Sequence, residues 1–480
     1  MNPDAAEPLL GRLRAVVGDG HVLTAPQDLE PHVVDWRRRF QGRTLAVVRP
    51  RDTAEVAQVM RACAAARMPV IPQGGNTGQS GASVPVAGRP RNVILSLARL
   101  DRVRALDRAN NTLTAEAGCI LQTVQETAAA AGRFFPLSLG AEGSCQIGGT
   151  LATNAGGTAV LRYGNARELV LGLEVVLADG TVWDGLRGLR KDNSGYDLRD
   201  LFVGSEGTLG IITAAVLKLV APPREKAVAW VAVPDLGRAV ELLGLARDTL
   251  DSRLAAFEYL SRTQVDLVLR HVPGHRDPLP GAAGAAGGYV LVELADTVHT
   301  GRLGALLQQL LEQGVAQGCA LDAVVATSEA QAQALWRLRH SVSEANRAHG
   351  ISLNHDVAVP TSRVVDFVER ATSCVRGRFP AAELSIVSHL GDGNVHFLAI
   401  FPRAFWSAQP DAESYGAQVR EAVYEIAMAC GGSFSAEHGV GQMLTAQMQR
   451  FKSGAELGLM RRLKEALDPA GLLNPGKVLP

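Results

Sequence analysis

Net charge is missing from this chain. Lys and Arg number 48 and Asp and Glu number 48 in 480 residues, a formal net charge of +0. Such a chain has no electrostatic footprint for nucleic acid or for an anionic membrane. Closely spaced cysteines are missing too. Cys63, Cys119, Cys145, Cys319, Cys374 and Cys430 are scattered, with no Cys-x-x-Cys. This argues against a disulfide framework and a cysteine–zinc site, and predicts reduced thiols and a cytoplasmic protein. No run of ~18 uncharged apolar residues occurs, so no membrane-spanning helix is expected. Asp4 and Glu7 precede any apolar run, so the first residues read as neither a secretory signal nor a transit peptide. Internal repeats and coiled-coil heptads are also lacking.

Apolar residues make up 47% and charged residues 20%, which supports large buried cores rather than disorder. Length suggests about three domains, or two with one elaborated. Pro222-Pro223 is the expected main boundary. Before it, a strand over 44–49, a helix capped by Asp52 or Thr53 and running to about Met68, and a strand over 69–72 lead into Gln73-Gly-Gly-Asn-Thr-Gly-Gln-Ser-Gly81. Apolar segments at 93–97, 112–117, 169–178 and 209–220 read as strands, and 121–132 as a helix. After the boundary, strand 228–233, helix 236–249, strands 254–260 and 289–294, helix 302–317 and strand 323–327 follow in the β-α-β-β-α-β order of a ferredoxin-like unit. A long helix over 328–349, a strand over 351–359 and helices over 362–376, 414–430 and 456–467 complete the expectations.

Fifty glycines need a use, and many cluster. In 72–81 they let consecutive backbone N–H groups turn inward as an anion nest suited to a diphosphate. No Gly-Lys-Ser/Thr follows, so this is not a P-loop. Two further stretches, Gly140 to Gly157 and Gly204 to Thr213, carry small residues and few charges, suited to backbone lying against a flat heterocycle. Loops packing on one another are the plainer explanation for either alone. A Rossmann site would need strand, Gly-x-Gly-x-x-Gly and helix in succession, and neither stretch has that context.

His389-Leu-Gly-Asp-Gly-Asn-Val-His396 carries the most pointed chemistry. Asp392-Gly393 between β-prone runs predicts a tight type I′ hairpin. Gly391 would then face Asn394, Leu390 face Val395, and His389 face His396, making a two-imidazole pincer. Glu437-His438 adds a carboxylate and a third imidazole. Two His and one Glu with an open position form a known catalytic zinc set. Two histidines on one strand face can also be mere core or rim residues.

Several motifs carry a resemblance. They are Pro-Gln-Gly-Gly-Asn-Thr-Gly, Gly-Ser-Cys-Gln-Ile-Gly-Gly-Thr-Leu-Ala-Thr-Asn-Ala-Gly-Gly, Lys191-Asp-Asn-Ser-Gly-Tyr-Asp-Leu, Gly-Ser-Glu-Gly-Thr-Leu-Gly, the histidine hairpin, Ser-Ala-Glu-His-Gly-Val-Gly and Leu-Asn-Pro-Gly-Lys-Val. Together they span nearly the whole chain. The sequence resembles the vanillyl-alcohol-oxidase type of FAD protein and, more closely, the FAD-dependent D-2-hydroxyacid dehydrogenases. The resemblance implies an α+β chain: an FAD-binding domain over 1–222, a ferredoxin-like substrate-binding cap domain with the hairpin over 223–430, and a segment over 431–480 returning to the flavin. It implies FAD contacts from Pro72, Gly74, Gly75, Asn76, Thr77 and Gly78 at the pyrophosphate and from Pro136, Ser138 and Gly140 near the isoalloxazine. Ser144, Gly148, Asn154, Gly156, Gly157, Glu206, Ile212 and Asn474 add further contacts. Some relatives attach FAD through a His in the first loop; residues 72–81 contain none, so non-covalent FAD is expected.

By the same resemblance, His389, His396 and Glu437 hold a divalent metal, most often zinc. His438 is the base at the substrate α-carbon, and Arg339, Ser343 and Asn354 lie at substrate-binding positions. A metal chelating the hydroxyl and a carboxylate oxygen would lower the hydroxyl pKa, with a neutral His taking the proton. The chain departs from the family twice: Asn354 stands where Lys is common and Leu398 where Asn is common. Both changes remove polar contacts to an acidic substrate; His355 is a candidate replacement donor. D-2-hydroxyglutarate is the first expected substrate, with D-lactate or another small D-2-hydroxy acid as the alternative. The flavin-bearing subunit of a multi-subunit glycolate-type oxidase is a more distant one. Electron-transfer flavoprotein is the implied electron acceptor, with a quinone or cytochrome as alternatives, and the resemblance allows a homodimer.

Overall fold

The computed structural model describes residues 6–89 and 91–480. The chain divides into two compact units. One comprises Met1–Gly157, Tyr163–Pro222 and Glu437–Pro480; the other comprises Thr158–Arg162 and Pro223–Ala436.

The first unit holds two sheets. β1 (Val22–Leu23), β2 (Ala46–Val48), β3 (Val70–Gln73) and β4 (Val93–Ser96) form one, in the order β1-β2-β4-β3, with β2, β4 and β3 parallel. Parallel strands covered on both faces should be apolar throughout, and every residue of β2 and β4 is buried. The helix Thr53–Ala65 connects β2 to β3; Asp52 caps it by accepting from the Glu55 amide. The helix Ala6–Val17 packs Leu9, Leu10, Leu13 and Val17 into the same core, at helical spacing. The second sheet contains β5 (Val103–Asp107), β6 (Thr112–Glu116), β7 (Val170–Val176), β8 (Val182–Gly185) and β9 (Ile211–Lys218). Its order is β5-β6-β9-β7-β8, antiparallel throughout.

The second unit is built on one sheet of β10 (Glu225–Val233), β11 (Leu254–Ser261), β12 (Gly288–Asp296), β13 (Asp322–Val325), β14 (Ile351–Ala358), β15 (Glu383–His389) and β16 (Asn394–Phe401). Its order is β13-β10-β12-β11-β15-β16-β14. The first four strands, with helices Leu236–Leu250 and Leu303–Ala316, are the ferredoxin-like unit expected from the element order. β15, β16 and β14 extend that sheet past β11.

The second unit departs from the sequence expectation at its helices. A helix at Arg262–His271 follows β11 directly, capped by Ser261, with no turn signal between them. The long helix expected over 328–349 is two helices, Glu329–His340 and Val342–His349, meeting at Ser341. The Ser341 hydroxyl donates back to the Arg337 carbonyl at 2.8 Å, a bond known to bend helices.

Candidate active site

In the second unit, four neighbouring strands set four ionisable side chains in a row. Glu258 on β11 lies directly opposite His389 on β15, and His396 on β16 lies directly opposite Asp356 on β14. The hairpin joining the two histidines is not the two-residue turn that Asp392-Gly393 predicts. His389 pairs with Asn394, and His396 with Val387, so residues 390–393 form the loop. Asp392 caps it, its carboxylate accepting from the Asn394 amide at 3.0 Å, while the Gly393 carbonyl accepts from Val359 N–H at 3.0 Å. A Cβ on Gly393 would lie 2.1 Å from the Val359 carbonyl, so this close approach requires glycine. The histidines are therefore diagonal rather than opposed, still on one face, with ring centroids 5.4 Å apart.

Glu258 is 2% exposed. Its Oε1 accepts from His389 Nδ1 at 2.8 Å, and its Oε2 accepts from Arg339 Nε and Nη2, each at 2.8 Å. Burial raises the Glu258 carboxyl, but His389 and Arg339 reverse this and bring it down to about 2. His396 Nδ1 is 3.8 Å from Asp356 Oδ1, and that oxygen accepts a hydrogen bond from Asn394 Nδ2 at 2.9 Å. Ser343, exposed, lies on the helix after the Ser341 bend, so it and Arg339 belong to different helices. Asn354 and Leu398 are directly opposed on the same face as His396. Asn354 Oδ1 is buried without a hydrogen-bond partner, and Leu398 belongs to an apolar cluster with Val387, Ile400 and Leu338. His355 is no substitute donor. It points to the opposite face, fully buried, with Nδ1 donating to the Phe397 carbonyl at 2.7 Å. Residues 433–436 run beside β14: Ser433 bridges Ala358, and the Ala436 amide donates to the Asp356 carbonyl at 3.1 Å.

In the first unit, the three glycine-rich stretches come together. A cleft there is lined by Pro72, Gly74, Gly148, Gly149, Glu206 and Ile212 among others. Gly75 meets Ser144, where a Cβ would lie 2.1 Å from the Ser144 carbonyl; a Cβ on Gly157 would lie 2.0 Å from that of Ser138. Asn76, Asn154, Glu206 and Asn474 all adopt positive φ, between 43° and 54°. Such backbone clusters at ligand sites. Asn154 Oδ1 accepts from the Arg167 amide. Pro136 and Gly156 are buried, Thr77 is half-buried, and Gly78 and Gly140 are exposed. The C-terminal tail pairs Leu473 with Val70 of β3, and Asn474 Nδ2 donates to the Ala82 and Glu206 carbonyls.

The Glu206 carboxylate accepts from the Val440 and Gly441 amides at 2.7 and 2.8 Å, holding the segment that follows His438. Burial pushes this carboxyl up to about 7, against the two amides and Lys477, which lower it. Glu437 Oε2 accepts from the Gly157 amide at 3.2 Å. His438 Nε2 lies 3.0 Å from Gln79 Nε2, and its carbonyl accepts from the Ser80 hydroxyl at 2.9 Å. Gln79, Lys477, Glu258 and Asp356 escaped the sequence reading. Gln79 and Lys477 at least lie within motifs already singled out. The signal for Glu258 was a lone carboxylate in the apolar run Leu254–Ser261, which burial obliges to be paired.

The cleft fits FAD. A Cβ on Gly149 would meet nothing within 4 Å, so the lining is open there, and Gln146 Oε1 and Asn474 Oδ1 are buried without partners. A parallel sheet feeding a glycine loop, a second antiparallel sheet and a ferredoxin-like sheet define a flavoprotein of the vanillyl-alcohol-oxidase type. Comparison with known proteins narrows this. Residues 44–185 match the FAD binding domain family, and residues 222–478 match the family of FAD linked oxidases, C-terminal domain. The mitochondrial D-2-hydroxyglutarate dehydrogenase of Bos taurus is 40% identical over 481 residues, covering 98% of this chain and 83% of the relative. The D-2-hydroxyglutarate dehydrogenase of Xanthomonas citri pv. viticola is 36% identical, covering 98% of this chain and 97% of the relative. The crystal structure of p-cresol methylhydroxylase with substrate bound shares the fold at a TM-score of 0.77 and 15% identity, covering 99% of this chain and 97% of that one. The chain belongs to the FAD-linked oxidases, as an oxidoreductase of the D-2-hydroxyacid dehydrogenase family.

Proposed function

We propose that the chain is an FAD- and divalent-metal-dependent dehydrogenase that oxidises a D-2-hydroxy acid, D-2-hydroxyglutarate first, to the 2-oxo acid. The observation that carries the metal is the row Glu258, His389, His396, Asp356, two imidazoles each facing a carboxylate across the sheet. Glu437 is the third ligand in this reading. It follows Ala436 in the chain, and the Ala436 amide is bonded to the Asp356 carbonyl. A zinc ion held there supplies Lewis acidity that makes a 2-hydroxyl easier to deprotonate. FAD, held non-covalently on the residues from 72–78, 136–157, 206, 212 and 474 named above, supplies the acceptor for the α-hydride.

The remaining work falls to the chain itself. His438 takes the hydroxyl proton. Gln79 orients its ring, and Glu206 fixes the backbone two residues on. Arginine has five N–H donors, and Glu258 engages the Nε and Nη2 of Arg339. The other donors, with Ser343 and Asn354, bind the substrate carboxylates. The Asn354–Leu398 pair favours a second reading, a D-lactate-like small acid, because an amide beside a leucine offers no cation to a distal carboxylate. No helix among the described residues is long and apolar enough to cross a membrane. Electron-transfer flavoprotein is the proposed acceptor, a homodimer the proposed assembly and the cytoplasm the proposed compartment, in keeping with six free cysteines.

Anaerobic addition of D- and L-2-hydroxy acids to the purified flavoprotein tests the reading. Bleaching of the flavin by D-2-hydroxyglutarate and not by its L-isomer supports it. Bleaching by D-lactate alone moves the substrate to the small acids, and no bleaching by any D-2-hydroxy acid refutes the proposal.

A further inference from the structure

Glu258 is neither a metal ligand nor a substrate contact in the scheme above, yet it is the most deeply buried carboxylate among the described residues of the second unit. It sits in the middle of an apolar strand, 2% exposed, and bonds to His389 and Arg339. Stability does not require this arrangement, since buried ion pairs are often replaceable by apolar residues at no cost. Its geometry does define one thing. An ionised carboxylate only accepts hydrogen bonds, so the 2.8 Å contact places a proton on His389 Nδ1. The lone pair of a neutral ring is then on Nε2. Arg339, from the helix Glu329–His340, holds the other carboxylate oxygen through two nitrogens, so Glu258 cannot turn away from the ring. Across the sheet, Asp356 is held in a similar way by Asn394 Nδ2 and stands opposite His396.

We propose that Glu258, clamped by Arg339, is the positioning residue that fixes the tautomer and orientation of His389 for metal binding. The inference rests on the metal reading given above, and it gives Arg339 a structural role besides any contact with substrate. A carboxylate behind a metal-binding histidine raises ligand basicity, and losing it typically weakens metal affinity ~10–100-fold.

The test is zinc competition against a chromophoric chelator, using metal-stripped, FAD-loaded wild type and Glu258→Gln. The expected result is stoichiometric zinc in the wild type, with affinity about 10–100-fold weaker in Glu258→Gln and flavin content unchanged. Equal zinc affinity in a folded Glu258→Gln overturns the positioning role while leaving the metal site standing. Absence of zinc binding by the wild type overturns the metal reading and this inference with it. A second measurement needs no variant at position 258. ¹⁵N-histidine spectra of metal-free wild type, with the His389 signal assigned by His389→Gln, should show Nδ1 protonated and Nε2 bare; the opposite tautomer contradicts the proposal.

Discussion

Asn354 and Leu398 stand directly opposite each other across β14 and β16, one same-face position along from the opposed pair Asp356 and His396. The two positions at which the sequence resemblance suggests a departure from the family pattern are thus one cross-strand contact. The leucine is packed in an apolar cluster, and the amide oxygen beside it is buried without a partner. Neighbouring substitutions couple, by ~0.5–3 kcal/mol. Leu398→Asn alone should lower the melting temperature, because it puts a second amide into that cluster. Asn354→Lys with Leu398→Asn should raise kcat/KM for D-2-hydroxyglutarate relative to D-lactate by about tenfold, roughly the ~1.4 kcal/mol of one modest carboxylate contact. An unchanged ratio would place the distal end of the substrate elsewhere.

His438 is fixed by Gln79 and Ser80 from the first glycine loop. His438→Ala should leave flavin content intact while slowing flavin reduction by substrate on the order of 10²–10⁴-fold, the usual share of a general base. Gln79→Ala should lower the rate less. Near-wild-type reduction by His438→Ala would remove the base assignment.

Residues 72–81 contain no histidine. Acid precipitation should therefore release all the yellow colour into the supernatant. Flavin remaining in the washed pellet would mean a covalent link.

The fully buried His355 gives a pH dependence of stability. Burial, with a smaller push from Arg420, lowers its pKa from 6.5 to about 4, against its bond to the Phe397 carbonyl. The folded pKa lies below the unfolded one, so this contribution is complete above pH 6.5 and is lost as pH falls through about 4. The loss amounts to ~3 kcal/mol. Denaturant unfolding of His355→Leu should show a correspondingly shallower decline between those pH values than wild type. Parallel curves would show that the histidine is solvated in the folded protein.

Much of the fold was legible because local chemistry and tertiary role agree. Asp52 caps its helix, β2 reads as an unbroken apolar run and β4 as one as far as Leu95, and the β-α-β-β-α-β order yields the ferredoxin-like sheet. The misses are places where tertiary contacts or one side chain override a local pattern. Ser341 bends a helix whose periodicity continues through it. Asp392-Gly393 has the composition of a two-residue turn, but the Gly393 carbonyl is bonded to Val359, and Gly391 packs on Leu161 with its carbonyl accepting from Arg247. The register shifts accordingly. Among the residues proposed for the site, His389, His396, Glu437 and His438 could be read as ligand types, because such residues in short motifs are uncommon. Glu258 could not, being one of 48 acidic residues whose meaning depends on which strand lies beside β11.

The central claim is that a divalent metal on His389, His396 and Glu437 is needed for substrate to reduce the flavin. Its most direct test is the rate of anaerobic flavin reduction by D-2-hydroxyglutarate, or by whichever D-2-hydroxy acid proves best, in metal-stripped protein before and after stoichiometric zinc. The account predicts negligible reduction before, recovery after, and no recovery in His389→Ala or His396→Ala. Full reduction in protein that elemental analysis shows to be metal-free would contradict it.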